Sequence, residues 1–349
     1  MNMDALAALD TTTNTLRIGF LGAGKAGCSL GRYIVERLAG ACDPAAPALE
    51  SALAGSLSPA LLSGDGDSSS AHASACTPVK LSGYASKTYA SAQVAARVTG
   101  APAFEDAVSL LRASDILFIS VPDGAIRPAC ESLAQACQEE CLTLDGKLVG
   151  HLSGSLSSGE LDSAAALGAH TFSLHPACAL PDREHGWEGL PHALFAFEGE
   201  QAARERVRPL TDLLGNQVGE IGREHKTLYH AACVFLSNLG VGLAAKGLDL
   251  LSGCGLDEAF STGLLQTLYL NNAGNVARTG PTAALTGPAE RADAQTMRGH
   301  MAALTSFGDE DALRVYKEMS GVLLTLAQKK HPEWKEGCAQ ALRDELFPH

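Results

Sequence analysis

One stretch near the start limits the fold more than any other: Arg17-Ile18-Gly19-Phe20-Leu21-Gly22-Ala23-Gly24-Lys25-Ala26-Gly27. The apolar run Leu16 to Leu21 reads as a buried strand, and Cys28 to Leu38 reads as a helix. The glycines between them are spaced Gly-x-Gly-x-x-Gly. Gly22 allows a tight turn, Gly24 lets the backbone approach a pyrophosphate, and Gly27 lets the helix pack close to the strand. The helix N-terminus then offers free N–H groups and a positive dipole end to phosphates. An ordinary tight turn also uses glycines, but the order strand, glycine turn, helix is that of a dinucleotide-binding unit. Residues 22–27, with Ala23, Lys25 and Ala26 among them, are therefore expected to contact a dinucleotide.

The chain then alternates. Residues 40–78 are rich in Ala, Ser, Gly and Pro and read as a flexible insertion. Val79 to Tyr84 is the next strand, and its end carries Ser86, Lys87 and Thr88 with no carboxylate. An acidic residue at that position selects NAD, whereas hydroxyl and basic groups accommodate a 2′-phosphate, so NADP is the expected cofactor. A solvated loop with a chance lysine is the plainer alternative. Helices are expected at 90–99, 104–111 and 126–137. The run 115–121 reads as a central strand leading to Val121, Pro122 and Asp123, and 148–152 as another leading to Ser153. Strand ends of this kind are where ligands bind in open α/β sheets. The stretch 168–176, containing His175, and short strands at 193–197 and 217–221 extend the sheet to about Gly222.

After Gly222 no strand signal remains. Long apolar segments without proline at 224–251, and helical patterns at 256–279, 289–305 and 310–328, complete the chain. The expected architecture is α/β followed by all-α: a Rossmann-type, mainly parallel sheet at 14–222 and an all-helical substrate and dimerisation domain at 223–349.

A balance of 26 basic against 39 acidic residues, net −13, makes nucleic acid and anionic membrane surfaces poor partners. No uninterrupted apolar run approaches the ~20 residues of a membrane span. The ten cysteines contain no C-x-x-C pair, which argues against a metal site. Without a secretion signal or a disulfide pattern, a cytoplasmic location is expected.

Chemistry concentrates in two constellations. Lys226, His230 and Ser237 fall on one stripe of a helix, with Asn238 slightly off it. Such a Lys and His can give or take the proton that accompanies hydride transfer, and Ser237 and Asn238 can hold the reacting oxygen. A solvated first helical turn would use the same residues. In the second, Gly287-Pro288 precedes a helix carrying Arg291 and Asp293. Arg291 can clamp a carboxylate with Asp293 orienting it, although a capped helix with a surface arginine has the same spacing. Asp123, Ser153 and His175 form a third set at strand ends.

Together these residues resemble a known bacterial family, in which a Rossmann-like NADP-binding domain precedes a C-terminal domain of unknown function. The family is related to 6-phosphogluconate dehydrogenase, pyrroline-5-carboxylate reductase and ketopantoate reductase. The resemblance runs from Leu16 to about Leu304. It rests on Gly22–Gly27, Val121-Pro122-Asp123, His151-x-Ser153-Gly154 and Leu174-His175-Pro176. It continues through Tyr229-His230-Ala231-Ala232 into Ser237-Asn238, and Thr286-Gly287-Pro288 with Arg291 and Asp293. Ala292 stands where the family commonly has glycine. The resemblance implies an NADP-linked reductase of a small carboxylic acid, pairing as a homodimer through its helical domain. Ketopantoate is the first substrate it suggests. Lys226 or His230 would supply the proton, Ser237 and Asn238 would hold the alkoxide, and Arg291 would grip the carboxylate. Reduction of an imino acid such as pyrroline-5-carboxylate, or a non-catalytic NADP-binding role, are the alternatives.

Overall fold

A computed structural model describes residues 15–40, 77–334 and 337–347. The N-terminal tail and nearly all of the expected insertion at 40–78 lie outside the described residues. The chain folds as two compact units, the first ending at Phe235 and the second beginning at Leu236. The division falls there, not at 222/223 where the residue character changes.

The first unit is built on a seven-stranded sheet: β1 (Leu16–Leu21), β2 (Val79–Ala85), β3 (Ile116–Ile119), β4 (Leu148–His151), β5 (His170–Ala177), β6 (Leu194–Gly199) and β7 (Val218–Glu220). The strand order is β2-β1-β3-β4-β5-β6-β7. All neighbours are parallel except β5 and β6. The chain runs outward from β1 to β2 and then resumes on the other side of β1 at β3. The crevice at the carboxyl ends of β1 and β3 is therefore the switch point where such sheets bind ligands. Helices α1 (Lys25–Leu38), α2 (Tyr89–Thr99), α3 (Ala107–Arg112), α4 (Asp123–Glu139), α5 (Asp162–Ala165) and α6 (Gln201–Leu214) accompany the strands, and α7 (Lys226–Leu236) ends the unit. Helix α3 starts later than the expected 104, because Asp106 caps it by accepting from Ser109 N–H at 2.7 Å.

An aromatic row crosses one face of this sheet. Tyr84, Phe20 and Phe118 stack at 5.4 Å between centroids, Phe118 meets Phe172 edge-on at 5.4 Å, and Phe172 stacks on Phe197 at 5.9 Å. Strand β4 lies between β3 and β5 but contributes Gly150 to the row. A Cβ there would sit 2.5 Å from the Phe172 ring, so Phe118 and Phe172 meet only because that side chain is absent. The opposite face buries Leu110, Leu117, Ile119, Ile126, Leu133 and Val149. At the amino ends, Arg17 donates to both Asp115 carboxylate oxygens, at 2.9 and 2.7 Å, and ties β1 to β3.

The second unit, among the described residues, holds helices α8 (Asn238–Gly253), α9 (Glu258–Thr279), α10 (Pro281–Ala284), α11 (Ala294–Phe307), α12 (Glu310–Lys330) and α13 (Cys338–Leu346). Asp257, Asp293 and Asp309 cap α9, α11 and α12, each accepting from a backbone N–H three residues on. Ala289, Met297, Leu324, Leu342 and Leu346 form its core. A cleft of about 800 Å³ opens along α8 and α9, lined by Leu243, Leu264 and Leu268 with Tyr269, Asn272 and Asn275.

Two expectations need correction. The single helix at 224–251 does not form: α7 ends at Leu236, and Ser237 breaks the ladder at φ −132, ψ −79. Ser and Asn side chains compete with the backbone for hydrogen bonds, which favours helix ends, and Ser237 donates to Asn238 Oδ1 at 3.0 Å. Secondly, Arg223–Gly253 is long and apolar enough to cross a membrane by length and composition, with mean hydropathy 1.5. The segment is interrupted at Ser237, and the Lys226 ammonium near its start is bonded inside the first unit.

Candidate functional site

The glycine turn at the end of β1 has the geometry its spacing requires. Gly22 takes φ +119, and a Cβ on it would lie 2.6 Å from the Ser120 carbonyl oxygen. Gly27 lies against the Ser120 side chain, whose hydroxyl donates to Gly22 O at 2.9 Å. Ser120 therefore latches the turn to the end of β3, a role with no motif to mark it in the sequence. Gly24 is the N-cap of α1 and makes no side-chain cap, and the first turn carries no acidic residue. The first N–H groups of α1, around Lys25 and Ala26, are thus free to face an anion. Ala23 is buried and Lys25 exposed. After β2, Ser86 is half-buried and Lys87 exposed, while Thr88 caps α2 by accepting from Ser91 N–H.

The neighbouring strand ends form a second layer. Val121 and Pro122 lead into α4, and Asp123 in its first turn accepts from Ser153 Oγ at 2.9 Å and Ser155 Oγ at 3.0 Å. His151 accepts from Ser153 N–H at Nδ1, which leaves Nε2–H to donate to Ser157 O at 3.0 Å. Burial lowers the pKa of that imidazole.

Helix α7 closes against these ends. The Lys226 ammonium donates to Ser153 O at 3.0 Å and Ser173 Oγ at 2.8 Å. Lys226 is 1% exposed, and burial pushes its pKa down to about 8, with Glu198 and Asp123 opposing the shift. Glu198, 3% exposed on β6, accepts from Ser158 N–H and Ser158 Oγ at 2.6 and 2.7 Å. Unlike Lys226, Tyr229 and His230 one turn on are half-buried and reach the edge of the site. Tyr229 Oη lies 2.9 Å from His175 Nδ1. The His175 ring meets those of Tyr229 and His230 edge-on, at 5.6 and 6.0 Å. Gly154 makes room for both imidazoles, since a Cβ there would come within 2.8 Å of each. Burial first, then the neighbouring Lys226 ammonium and His230, lowers the His175 pKa to about 4.

The fold thus brings Asp123, Ser153, His175, Lys226 and His230 together at the carboxyl ends of β3, β4 and β5. Ser237 and Asn238 begin the second unit and do not continue the α7 stripe. Arg291 and Asp293 also lie in the second unit. Arg291 is exposed, and Asp293 accepts from Thr296 N–H and Thr296 Oγ1 at 3.0 and 2.7 Å. No hydrogen bond joins Asp293 to Arg291 among the described residues. Ala292 between them takes φ +54, the left-handed conformation that glycine adopts without strain. Sequence reasoning assigned no role to Tyr229, Ser173 or Glu198. Glu198 had one signal, a carboxylate ending the apolar run Leu194–Phe197, whereas Tyr229 stood in the Tyr229-His230-Ala231-Ala232 stretch of the resemblance without a role of its own.

Residues 193–322 match the family described as a domain of unknown function, DUF2520. That span starts inside the sheet, at the edge of β6, and reaches into α12. No curated protein matches the chain. Among solved structures, a protein from Thermotoga maritima is similar at TM-score 0.61 and 22% identity, over 90% of this chain and 99% of its own. An imine reductase from Myxococcus stipitatus, solved with NADP+, is similar at TM-score 0.56 and 15% identity, over 93% and 99%. A 1-pyrroline-5-carboxylate reductase from Streptococcus pyogenes is similar at TM-score 0.50 and 13% identity, over 90% and 100%. At these identities the likeness is one of fold: a Rossmann-type sheet followed by a helical unit.

Proposed function

We propose that this chain, a Rossmann-type sheet with a DUF2520 domain over residues 193–322, is an NADP-dependent oxidoreductase that reduces a small keto acid. Ketopantoate is the first compound to assay. The observation that carries the reading is the convergence of Lys226, Tyr229, His230 and His175 on the strand ends beside the glycine turn. Gly22, Gly24 and Gly27 with the uncapped start of α1 suit a pyrophosphate, and Ser86 and Lys87 suit a 2′-phosphate. Asp123 and Ser153 hold the adjoining edge. When bound, the cofactor supplies a hydride, and the α7 edge supplies the accompanying proton. Solved reductases of this fold include one in complex with NADP+, which supports the cofactor.

Carbonyl and imine substrates differ in charge, and that difference favours the carbonyl. An iminium brings a positive charge to the reacting centre, close to a buried ammonium. A carbonyl develops negative charge on oxygen, which the ammonium stabilises. In the helical unit, Arg291, Asp293, Ser237 and Asn238 remain the residues proposed for substrate. Arg291→Ala should raise KM for a carboxylate substrate and leave NADPH binding unchanged. The partner proposed for the exposed apolar residues Leu268 and Phe260 of α9, 62% and 57% exposed, is a second copy of the chain.

The test is NADPH absorbance over time with ketopantoate, beside NADH and a control without substrate. Loss with NADPH and not with NADH supports the reading. Saturable NADPH binding with no turnover across keto and imino acids would leave a non-catalytic binding protein.

A further inference from the structure

Resting on that reading, the geometry points to Tyr229 as the group that hands the proton to the substrate oxygen, with His175 as the positioning residue that aims it. Lys226 is the residue whose type suggests a proton donor, but its ammonium is turned inward onto Ser153 O and Ser173 Oγ and is 1% exposed. A substrate oxygen would have to displace one of those bonds to reach it. Tyr229 is one turn further along α7, half-buried, and open to the edge that holds His175 and His230.

The hydroxyl of Tyr229 has a single proton and two side-chain neighbours, His175 and Cys233. Neutral His175 carries one ring proton. If that proton is on Nδ1, it donates to Tyr229 Oη across the 2.9 Å contact, and the tyrosine proton is not spent on His175. If it is on Nε2, Tyr229 must donate to Nδ1 and its proton is spent. In the second arrangement Nε2–H points toward Gly154, where an added Cβ would lie 2.8 Å from Nε2. Transfer to the substrate requires the first arrangement, the one in which His175 leaves the tyrosine proton unspent.

The surroundings suit the transfer. Burial and a hydrogen bond with the Cys233 side chain raise the Tyr229 pKa, so the group stays protonated until a stronger base such as an alkoxide forms beside it. The Lys226 ammonium lies 5.9 Å from the Tyr229 ring centroid, a cation–π contact. In the balanced step, the carbonyl carbon gains the hydride and the C=O π pair moves to oxygen. That oxygen takes the Tyr229 proton, and solvent returns a proton to Tyr229.

The test reads the imidazole directly. Two-bond 1H–15N spectra of 15N-labelled protein at pH 7, with His175 assigned by its loss in His175→Gln, give its tautomer without any substrate. The expected result is an Nδ1–H tautomer in the wild type that shifts toward Nε2–H in Tyr229→Phe. An Nε2–H tautomer in the wild type would overturn the proposal. In parallel, Tyr229→Phe should lower kcat for a carbonyl substrate by roughly 100-fold or more, with KM and NADPH affinity little changed. An unchanged kcat would also overturn it. If the wild type binds NADPH but reduces no carbonyl, the proposed function fails, and the tautomer still decides the geometry of the pair.

Discussion

Tyr229 Oη and His175 Nδ1 lie 2.9 Å apart and join the first turns of α7 to the carboxyl end of β5. The contact sits beside a buried ammonium, and its chemistry follows from that neighbour as much as from the pair itself.

His175 makes stability depend on acid. Its pKa is about 4 in the folded protein and 6.5 when exposed. Between those values the unfolded chain takes up a proton that the folded chain refuses, so stability falls as pH drops from 6.5 toward 4. Thermal melting of the wild type should fall more steeply over that range than melting of His175→Gln. Parallel slopes would remove His175 as a source of acid sensitivity.

Lys226 acts in the alkaline range with the same sign. Its folded pKa of about 8 lies below the ordinary 10.5, so between pH 8 and 10.5 the unfolded chain holds more protons and stability rises with pH. Lys226→Met should abolish that rise in urea unfolding series. It should also lift the His175 pKa, because a cation beside the imidazole is gone; an NMR titration of His175 checks this.

Gly150 is the gap in the aromatic row. Gly150→Ala would drive a methyl group into the Phe172 ring, and overpacking of this kind costs about 1–3 kcal/mol. Urea unfolding should report a loss of that size. A neutral result would mean that Phe172 can move aside without disturbing Phe118.

Ala292 is the converse case. It holds φ +54, where an L side chain is strained. Ala292→Gly should stabilise the chain by about 1 kcal/mol, read as a higher urea midpoint at an unchanged m-value. A lower midpoint would show that the added freedom of glycine in the unfolded chain outweighs the relief.

Under the proposed cofactor, the end of β2 sets the choice between NADP and NAD. Ser86→Asp with Lys87→Ala places a carboxylate where a 2′-phosphate would lie and removes a cation. NADPH affinity should fall by about tenfold or more relative to NADH, measured by fluorescence titration.

What the sequence determined by itself is what local pattern controls. The glycine turn, the apolar runs of β1 and β3 and the change to helices after Gly222 are set by residues close together in the chain. Gly27 could be assigned to close packing without knowing that Ser120 is what it packs against. The break at Ser237 was less legible, because an apolar segment on both sides of it hides a helix end. Ala292 showed only as a residue out of pattern, until its backbone angle explained why glycine suits the place. The tertiary structure alone decided the working character of the site. Lys226 bonds to groups 73 and 53 positions away, and Tyr229 meets His175 across 54. Whether a lysine faces solvent or is bonded inside, and whether a histidine is charged or neutral, depends on burial and on neighbours brought together by the sheet order. Those are sums over long-range contacts, and no spacing along the chain encodes them.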